Sequence, residues 1–194
     1  MPRRLILAST SPYRRELLGR LQIPFETIAP GVDERPLPDE AAPLRAARLA
    51  RAKALAVAGQ IAEGLVLGSD QVACLGEEML DKPGTHERAF AQLRAASGRR
   101  VSFYTAVALL DLPGGTMSLR MVPCHVQFRP LGDALIERYL AREQPYDCAG
   151  SAKVEGLGIS LIERVDCPDP TALIGLPLIA VGELLAAHGV AVPP

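Results

Sequence analysis

The sequence predicts an α/β protein with a mixed β-sheet and flanking helices, and three observations indicate this fold. Short apolar segments alternate with helical patterns, as in proteins whose helices cover a sheet. Residues 101–110 and 117–128 have the pattern of two strands joined around Pro113-Gly114-Gly115, which indicates a hairpin rather than a strictly parallel sheet. Because no internal repeat or long linker divides the chain, we expect a single domain over residues 1–194.

The strand patterns are short runs of buried-type apolar residues. They cover residues 5–8, 65–72, 101–110, 117–128 and 159–162.

Helical patterns separate these strands. Ser11 suits the N-cap of the first helix and Pro12 its first position, while Pro24 ends it. Four prolines make residues 29–43 an irregular loop, and a turn at Lys82-Pro83-Gly84 precedes the third helix. The later helices are predicted over residues 44–57, 87–96 and 131–142, with a last one that opens at Gly175-Leu176-Pro177.

The composition is that of a globular protein and narrows the classes of function. With a net charge of -1, the chain does not have the strong basic excess of a general nucleic-acid binder. Residues 1–53, however, hold ten of the 21 basic residues and six of the 22 acidic ones, a bias that suits a small polyanion such as a nucleotide. The apolar runs are far shorter than the ~20 residues of a membrane span. We therefore expect a cytoplasmic protein with no nucleic-acid or membrane partner.

Cysteine and histidine spacing gives no sign of a metal site. The four cysteines lie 50, 24 and 19 residues apart, and the three histidines are equally scattered. Zinc sites use pairs two to four residues apart, so we expect ordinary reduced, partly buried thiols.

A candidate phosphate site lies at the start of the first helix. Neither a P-loop nor a dinucleotide-binding glycine motif is present. Instead, a hydroxyl-rich turn leads into a helix with Arg14 and Arg15 in its first turn. Helix N-terminal N–H groups and guanidinium groups bind phosphates, whereas arginines there oppose the helix dipole unless an anion is bound. The alternative is an ordinary capped helix with solvated arginines.

Lysine is rare in this chain, with three lysines beside 18 arginines. A lysine ammonium reaches a single phosphate oxygen where a guanidinium fork does not fit. We therefore expect at least two of Lys53, Lys82 and Lys153 to line one site. The alternative is that three lysines among so many arginines occur by chance.

Two acidic residues complete the candidate site. Asp70 lies near the end of an apolar strand, and Glu34 lies in the proline-rich loop. Their oxygens suit Mg²⁺ or Mn²⁺, and a carboxylate can also activate water. A cap or turn role for Asp70 and a solvated charge for Glu34 are the alternatives. No covalent nucleophile has a base beside it, which favours phosphoanhydride hydrolysis by water.

The motifs together resemble the Maf family over essentially the whole chain. They are the run from Leu5 to Leu18, Val32-Asp33-Glu34, Ala52-Lys53-Ala54, Gly68-Ser69-Asp70-Gln71-Val72, Gly84 after Lys82-Pro83, Ala149-Gly150 and Gly175-Leu176-Pro177-Leu178.

The resemblance implies a fold like that of the inosine-triphosphate pyrophosphatases, with two lobes around a cleft and often a homodimer. It also implies metal-dependent cleavage between the α and β phosphates of a nucleoside triphosphate. In such a protein Asp70 is the proton acceptor and Glu34 helps to hold the metal. The phosphates are held by Ser9, Arg14, Arg15, Lys53 and Lys82.

Base specificity is implied by three positions at which branches of the family differ. This chain has Tyr13, Gln71 and Glu155, where the branch acting on dTTP and UTP has Arg, Thr and Gln. An aromatic, an amide and a carboxylate resemble the branch assigned to 7-methyl-GTP. N7-methylation makes guanine cationic, so an aromatic ring can stack on it and a carboxylate can pair with it.

Two other functions stay open at this stage. One is a pyrophosphatase for dTTP and UTP, or one of broad range. The other is a nucleotide-binding regulator of septum formation in which catalysis is incidental. The intact Asp70 and the three lysines favour turnover, because a sensor does not need a water-activating carboxylate.

Overall fold

The sheet of this protein is mixed, as the sequence predicts. The computed structural model describes residues 3–194 and places seven strands in one sheet. The strands are β1 (Leu5–Ala8), β2 (Glu26–Ile28), β3 (Gly64–Leu75), β4 (Glu78–Met79), β5 (Arg100–Leu112), β6 (Thr116–Phe128) and β7 (Ile162–Asp166).

The strand order is β2-β1-β3-β5-β6-β7, and β4 pairs with β3 alone. β1 is parallel to both of its neighbours, β2 and β3. The β3–β4, β3–β5, β5–β6 and β6–β7 pairs are antiparallel. The β5–β6 hairpin confirms the predicted pairing around Pro113. A parallel unit is thus joined to an antiparallel meander through β3.

Helices cover both faces of the sheet, and β1 shows how. Leu5 and Leu7 belong to one hydrophobic core, and Ile6 and Ala8 belong to a second. Successive side chains of a strand point to opposite faces, so both faces of β1 are buried. The helices are α1 (Pro12–Gly19), α2 (Ala42–Ala58), α3 (His86–Ala96), α4 (Asp133–Glu143) and α5 (Leu178–Ala187).

α2 packs on the second core face at very short range, and Gly68 of β3 makes this possible. A Cβ added at Gly68 would lie 2.2 Å from the carbonyl oxygen of Ala50 and 2.8 Å from the amide nitrogen of Ala54. Both atoms are backbone, so neither can rotate away. The missing side chain therefore lets α2 approach the strand that carries Asp70.

We expect Gly68→Ala to lower the free energy of unfolding by about 1–3 kcal/mol, the usual cost of overpacking a tight interface. Urea unfolding measures the change. Gly114→Ala is the matched control, because no heavy atom lies within 4 Å of the added Cβ and the backbone is not left-handed. A cost at Gly68 no larger than at Gly114 would show that α2 can move away freely.

Several local predictions are wrong. The predicted strand at residues 159–162 is instead a 3₁₀ segment, Leu157–Leu161, and β7 begins only at Ile162. The amide of Gly158 donates to the carbonyl of Lys153 at 3.0 Å, which closes a turn that an extended strand cannot contain. α1 ends at Gly19, five residues before Pro24.

The thiol prediction is wrong for two of the four cysteines. Cys124 and Cys167 form a disulfide across 43 residues, while Cys74 and Cys148 are free. Cys124 lies on β6 and Cys167 directly follows β7, and the pairing of these strands brings the two residues together. Among residues 3–194, no helix combines the length and the apolar character that a membrane span requires.

Candidate active site

A cavity of about 440 Å³ opens where β1 ends and α1 begins. Ala8, the last residue of β1, pairs with Gly68 of β3, so β3 continues past its parallel neighbour. Asp70 therefore lies within β3, beyond the end of β1, and not near a strand end as the sequence predicts. Ligands of α/β sheets bind where parallel strands end, and this cavity has that position.

Nine of the ten predicted site residues line this one cavity. They are Ser9, Tyr13, Arg14, Glu34, Lys53, Asp70, Gln71, Lys82 and Glu155.

The turn between β1 and α1 has the predicted helix cap. Ser11 is the N-cap and its hydroxyl accepts from the amide of Arg14 at 3.4 Å, with Pro12 at the first helical position. The buried Ser9 hydroxyl accepts from the amide of Ser11 at 3.1 Å. Pro12 has no N–H, and the amides of Arg14 and Arg15 donate to Ser11, so the Tyr13 amide is the donor of this turn that remains for an anion.

Arg14 and Arg15 lie in different places although they are adjacent in sequence. The Nε of Arg14 donates to the carbonyl of Gly175 at 2.8 Å, which fixes the guanidinium in the cavity wall. Burial lowers the pKa of Arg14, and the charges of Asp70 and Glu34 oppose this shift. Arg15 is exposed and lines a second, separate groove beside Phe25.

A buried lysine joins the two predicted acidic residues. The Lys53 ammonium lies 2.6 Å from Oδ1 of Asp70 and 2.7 Å from Oε1 of Glu34. Lys53 is 5% exposed and Asp70 is 6% exposed, so this ion pair is largely shielded from solvent. Because α2 packs closely on β3 at Gly68, a lysine on α2 reaches a carboxylate on β3.

Glu34 reaches the same point from the proline-rich loop. Its partial burial raises its pKa, but the hydrogen bond and charge of Lys53, together with Lys82 and Arg14, hold the pKa below the ordinary value. Glu34 is therefore ionised at neutral pH. The carboxylates of Glu34 and Asp70 thus lie in one part of the cavity with the cationic side chains of Lys53, Lys82 and Arg14.

Arg45 is a cavity residue that the sequence reasoning missed. It is 8% exposed, and its guanidinium donates to the carbonyl of Glu34 at 3.1 Å and to Oδ1 of Asp81 at 3.0 Å. It therefore links the loop that carries Glu34 to the one that carries Lys82. Arg45 and Lys53 lie eight residues apart, two helical turns, and this spacing was the available signal.

Another part of the cavity contains an aromatic ring beside a carboxylate. The Tyr13 hydroxyl donates to Oδ2 of Asp147 at 3.2 Å. Desolvation, together with the neighbouring Cys148 and Asp147, raises the pKa of Tyr13, so the hydroxyl stays protonated. The Nζ of Lys153 lies 5.5 Å from the ring centroid of Tyr13. Asp147 was also missed, since nothing local links it to a residue 134 positions away.

Gln71 and Glu155 line the cavity with Tyr13 but differ in how firmly they are held. The Gln71 amide nitrogen donates to Thr105 Oγ1 at 3.0 Å and to the carbonyls of Ala172 and Leu173 at 2.8 and 3.2 Å. Glu155 lies at the exposed mouth of the cavity. Desolvation by the surrounding protein raises its pKa, with Lys153 opposing the shift.

The three lysines divide between the cavity and its outer wall. Lys53 and Lys82 line the cavity, and Lys82 is an exposed residue in the turn that precedes α3. Lys153 pairs with Oε1 of Glu143 at 3.3 Å, outside the cavity wall.

Within residues 3–194, no group of three or more His, Cys, Asp or Glu side chains forms a metal cage. The convergence of Glu34 and Asp70 on Lys53 is nevertheless compatible with a divalent cation. Mg²⁺ is commonly held by one or two carboxylates, with water and substrate phosphates as the other ligands.

A mixed α/β fold with a helix N-terminus, a buried lysine and two carboxylates around one cavity defines a protein suited to a phosphorylated ligand. A comparison with known protein families identifies the family within this class. The family described as Maf-like protein matches residues 4–188, and the chain belongs to that family.

Relatives from several bacteria are similar over nearly their full length. The chain is 60% identical over 186 residues to the 7-methyl-GTP pyrophosphatase of Thiobacillus denitrificans, covering 96% of this chain and 92% of that protein. It is 58% identical over 189 residues to the protein of the same name from Polaromonas, covering 97% and 86%. The protein of that name from Nitrosococcus oceani is 54% identical over 188 residues, covering 97% and 94%.

Among solved structures, the chain is similar to the Ham1 protein of Staphylococcus aureus, with a TM-score of 0.47 and 14% identity over 64% of this chain and 71% of that one. For a HAM1 protein from Coxiella burnetii the TM-score is 0.45, with 17% identity over 66% and 73% of the two chains.

Proposed function

We propose that this protein hydrolyses 7-methyl-GTP to 7-methyl-GMP and pyrophosphate. Relatives at 54–60% identity carry the name of that activity. The single observation that carries the proposal is the Lys53 ammonium between Asp70 and Glu34 in a cavity that Tyr13 and Glu155 also line. These groups supply what a triphosphate and a cationic base each require.

The phosphate chain binds at the junction of β1 and α1. The Ser9 hydroxyl and the Tyr13 amide at the start of α1 are donors to phosphate oxygens, and the guanidinium of Arg14 neutralises part of the charge. Lys53 and Lys82 contribute ammonium groups from α2 and from the turn after β4. Arg15 as a phosphate ligand stays a prediction, because its side chain lines the neighbouring groove.

Asp70 is the proton acceptor for the attacking water. The water oxygen bonds to the α-phosphorus, the bond to the bridging oxygen breaks, and pyrophosphate leaves with the electron pair of that bond. The proton of the water passes to a carboxylate oxygen of Asp70. Lys53, 2.6 Å from Asp70, stabilises negative charge at the same place. The chain thus acts by positioning and charge, without a covalent intermediate.

Glu34 and Asp70 are the residues that would hold a Mg²⁺ or Mn²⁺ ion. Such an ion, when bound, neutralises phosphate charge. The two carboxylates lie on different elements of the chain, and Lys53 contacts both of them.

The base is recognised by an aromatic ring and carboxylate charge. The face of Tyr13 stacks on the cationic purine, and Glu155 supplies the opposite charge at the mouth of the cavity. Because the amide nitrogen of Gln71 is already bonded to Thr105 and to two carbonyls, Gln71 acts from a fixed position.

We expect the preference for 7-methyl-GTP over GTP to fall as the pH decreases below neutrality. The pKa of Glu155 is raised by desolvation, so its charge is lost at higher pH than for an ordinary glutamate. The ratio of the two kcat/KM values measures this, because the phosphate chain is common to both nucleotides. In Glu155→Gln the ratio is lower and flat with pH. An equally steep ratio in that variant would assign the titration to another group.

The reaction is tested by identifying the products that purified protein forms from 7-methyl-GTP with Mg²⁺ or Mn²⁺. We expect equal amounts of 7-methyl-GMP and pyrophosphate, and no turnover after chelation of the metal. Orthophosphate as the product would place cleavage at the γ-phosphate and contradict the proposal. Binding without turnover would instead favour the regulator of septum formation.

A further inference from the structure

Glu143 ends α4 outside the cavity and contacts the segment that carries Glu155. Its Oε2 accepts a hydrogen bond of 2.6 Å from the amide of Leu157, two residues after Glu155. The Glu143 side chain is only 11% exposed and packs against this segment, although Leu157 itself is exposed. It therefore fixes the backbone next to a residue that lines the cavity.

Gly156 allows this close contact. A Cβ added there would lie 2.6 Å from Oε2 and 2.8 Å from Oε1 of Glu143. The carboxylate thus packs directly against the backbone between Glu155 and Leu157. Any larger residue at this position would displace it.

The other oxygen of Glu143 acts towards Tyr13 through Lys153. Oε1 lies 3.3 Å from Nζ of Lys153, and the same Nζ is 5.5 Å from the Tyr13 ring centroid. Burial lowers the pKa of Lys153, but the hydrogen bond and charge of Glu143, with Glu155, raise it on balance. A permanent cation is thus held beside the ring of Tyr13.

We infer that Glu143 is a positioning residue for base selectivity, because one carboxylate holds both the Glu155 segment and, through Lys153, the ring of Tyr13. It touches no substrate and acts only through residues that line the cavity. The inference rests on the proposed function, since the base that it helps to select is the cationic purine of 7-methyl-GTP.

The test is Glu143→Gln, which keeps the size of the side chain and removes its charge. We expect the ratio of kcat/KM for 7-methyl-GTP to that for GTP to fall about tenfold, the usual loss for one charge-assisted hydrogen bond. The loss falls on KM for 7-methyl-GTP, while kcat for GTP changes less than about twofold. Hydrogen exchange at the Leu157 amide becomes faster in the free variant.

Glu137→Gln is the matched control on the same helix. Glu137 is exposed and pairs with His86 at 3.0 Å, away from the Glu155 segment. In Glu137→Gln we expect the ratio of kcat/KM for 7-methyl-GTP to that for GTP to stay at the wild-type value. Gly156→Ala gives a second reading if Glu143→Gln folds poorly, because its Cβ displaces the Glu143 carboxylate, and it lowers the same ratio.

The outcomes separate this inference from the proposed function. A wild-type protein without preference for 7-methyl-GTP contradicts the proposed function, and the positioning role with it. A wild-type preference that both Glu143→Gln and Gly156→Ala retain contradicts only the positioning role. Equal losses on 7-methyl-GTP and GTP would make Glu143 a purely structural residue.

Discussion

Asp70→Asn is expected to lower kcat for 7-methyl-GTP by at least about 100-fold, the usual contribution of a general base. Asparagine has the shape of aspartate but does not accept a proton from water at neutral pH. Lys53 keeps Glu34 as its partner at 2.7 Å, so the cavity retains its other charged groups. We therefore expect nucleotide binding to change little. Steady-state kinetics and equilibrium binding measure the two quantities separately.

Asp81→Asn is the control for this variant. Asp81 lines the same cavity and pairs with Arg45 at 3.0 Å, but it is exposed and is not a partner of Lys53. Its loss of kcat is expected to be much smaller. Lost binding in Asp70→Asn, with unchanged turnover of the nucleotide that does bind, would contradict the proton-acceptor role.

Lys53→Met is expected to lower kcat by about 10²–10³-fold, the effect of removing one charged group that stabilises the transition state. Methionine occupies a similar volume but leaves Asp70 and Glu34 near each other without the ammonium between them. The buried Asp70 then lacks its ion-pair partner, so we also expect a lower Tm. Kinetics and thermal unfolding measure the two effects.

The control is Arg51→Met on the same helix, because Arg51 is exposed. That variant keeps the wild-type kcat and Tm. A Lys53→Met protein with nearly full activity would show that Asp70 and Glu34 act without the lysine.

Much of the fold follows from local sequence patterns. The buried strand from Leu5 to Ala8, the Ser11 cap and the hairpin at Pro113 all depend on residues close in sequence. β2 was missed because it has three residues and is mostly exposed. The strand predicted from the apolar run at residues 159–162 was wrong because the amide of Gly158 bonds to the carbonyl of Lys153. Hydrophobic periodicity does not show such a turn.

The candidate site was predictable in its residues but not in its geometry. Lys53, Asp70 and Glu34 stand out by residue type and position, yet their convergence on one ammonium depends on the Gly68 contact between α2 and β3. Asp147 was missed because its partner, Tyr13, is distant in sequence. Glu143 was missed because it bonds to a backbone amide, which residue type does not reveal. The disulfide was missed for the same reason, since the pairing of β6 and β7 brings its cysteines together.

The most direct test measures pyrophosphate release from 7-methyl-GTP, GTP, dTTP and UTP side by side, with Asp70→Asn in parallel. We predict the highest kcat/KM for 7-methyl-GTP and loss of that activity in the variant. Highest activity on dTTP or UTP would keep the reaction but contradict the roles of Tyr13, Gln71 and Glu155. Release from none of the four would contradict the proposed function itself.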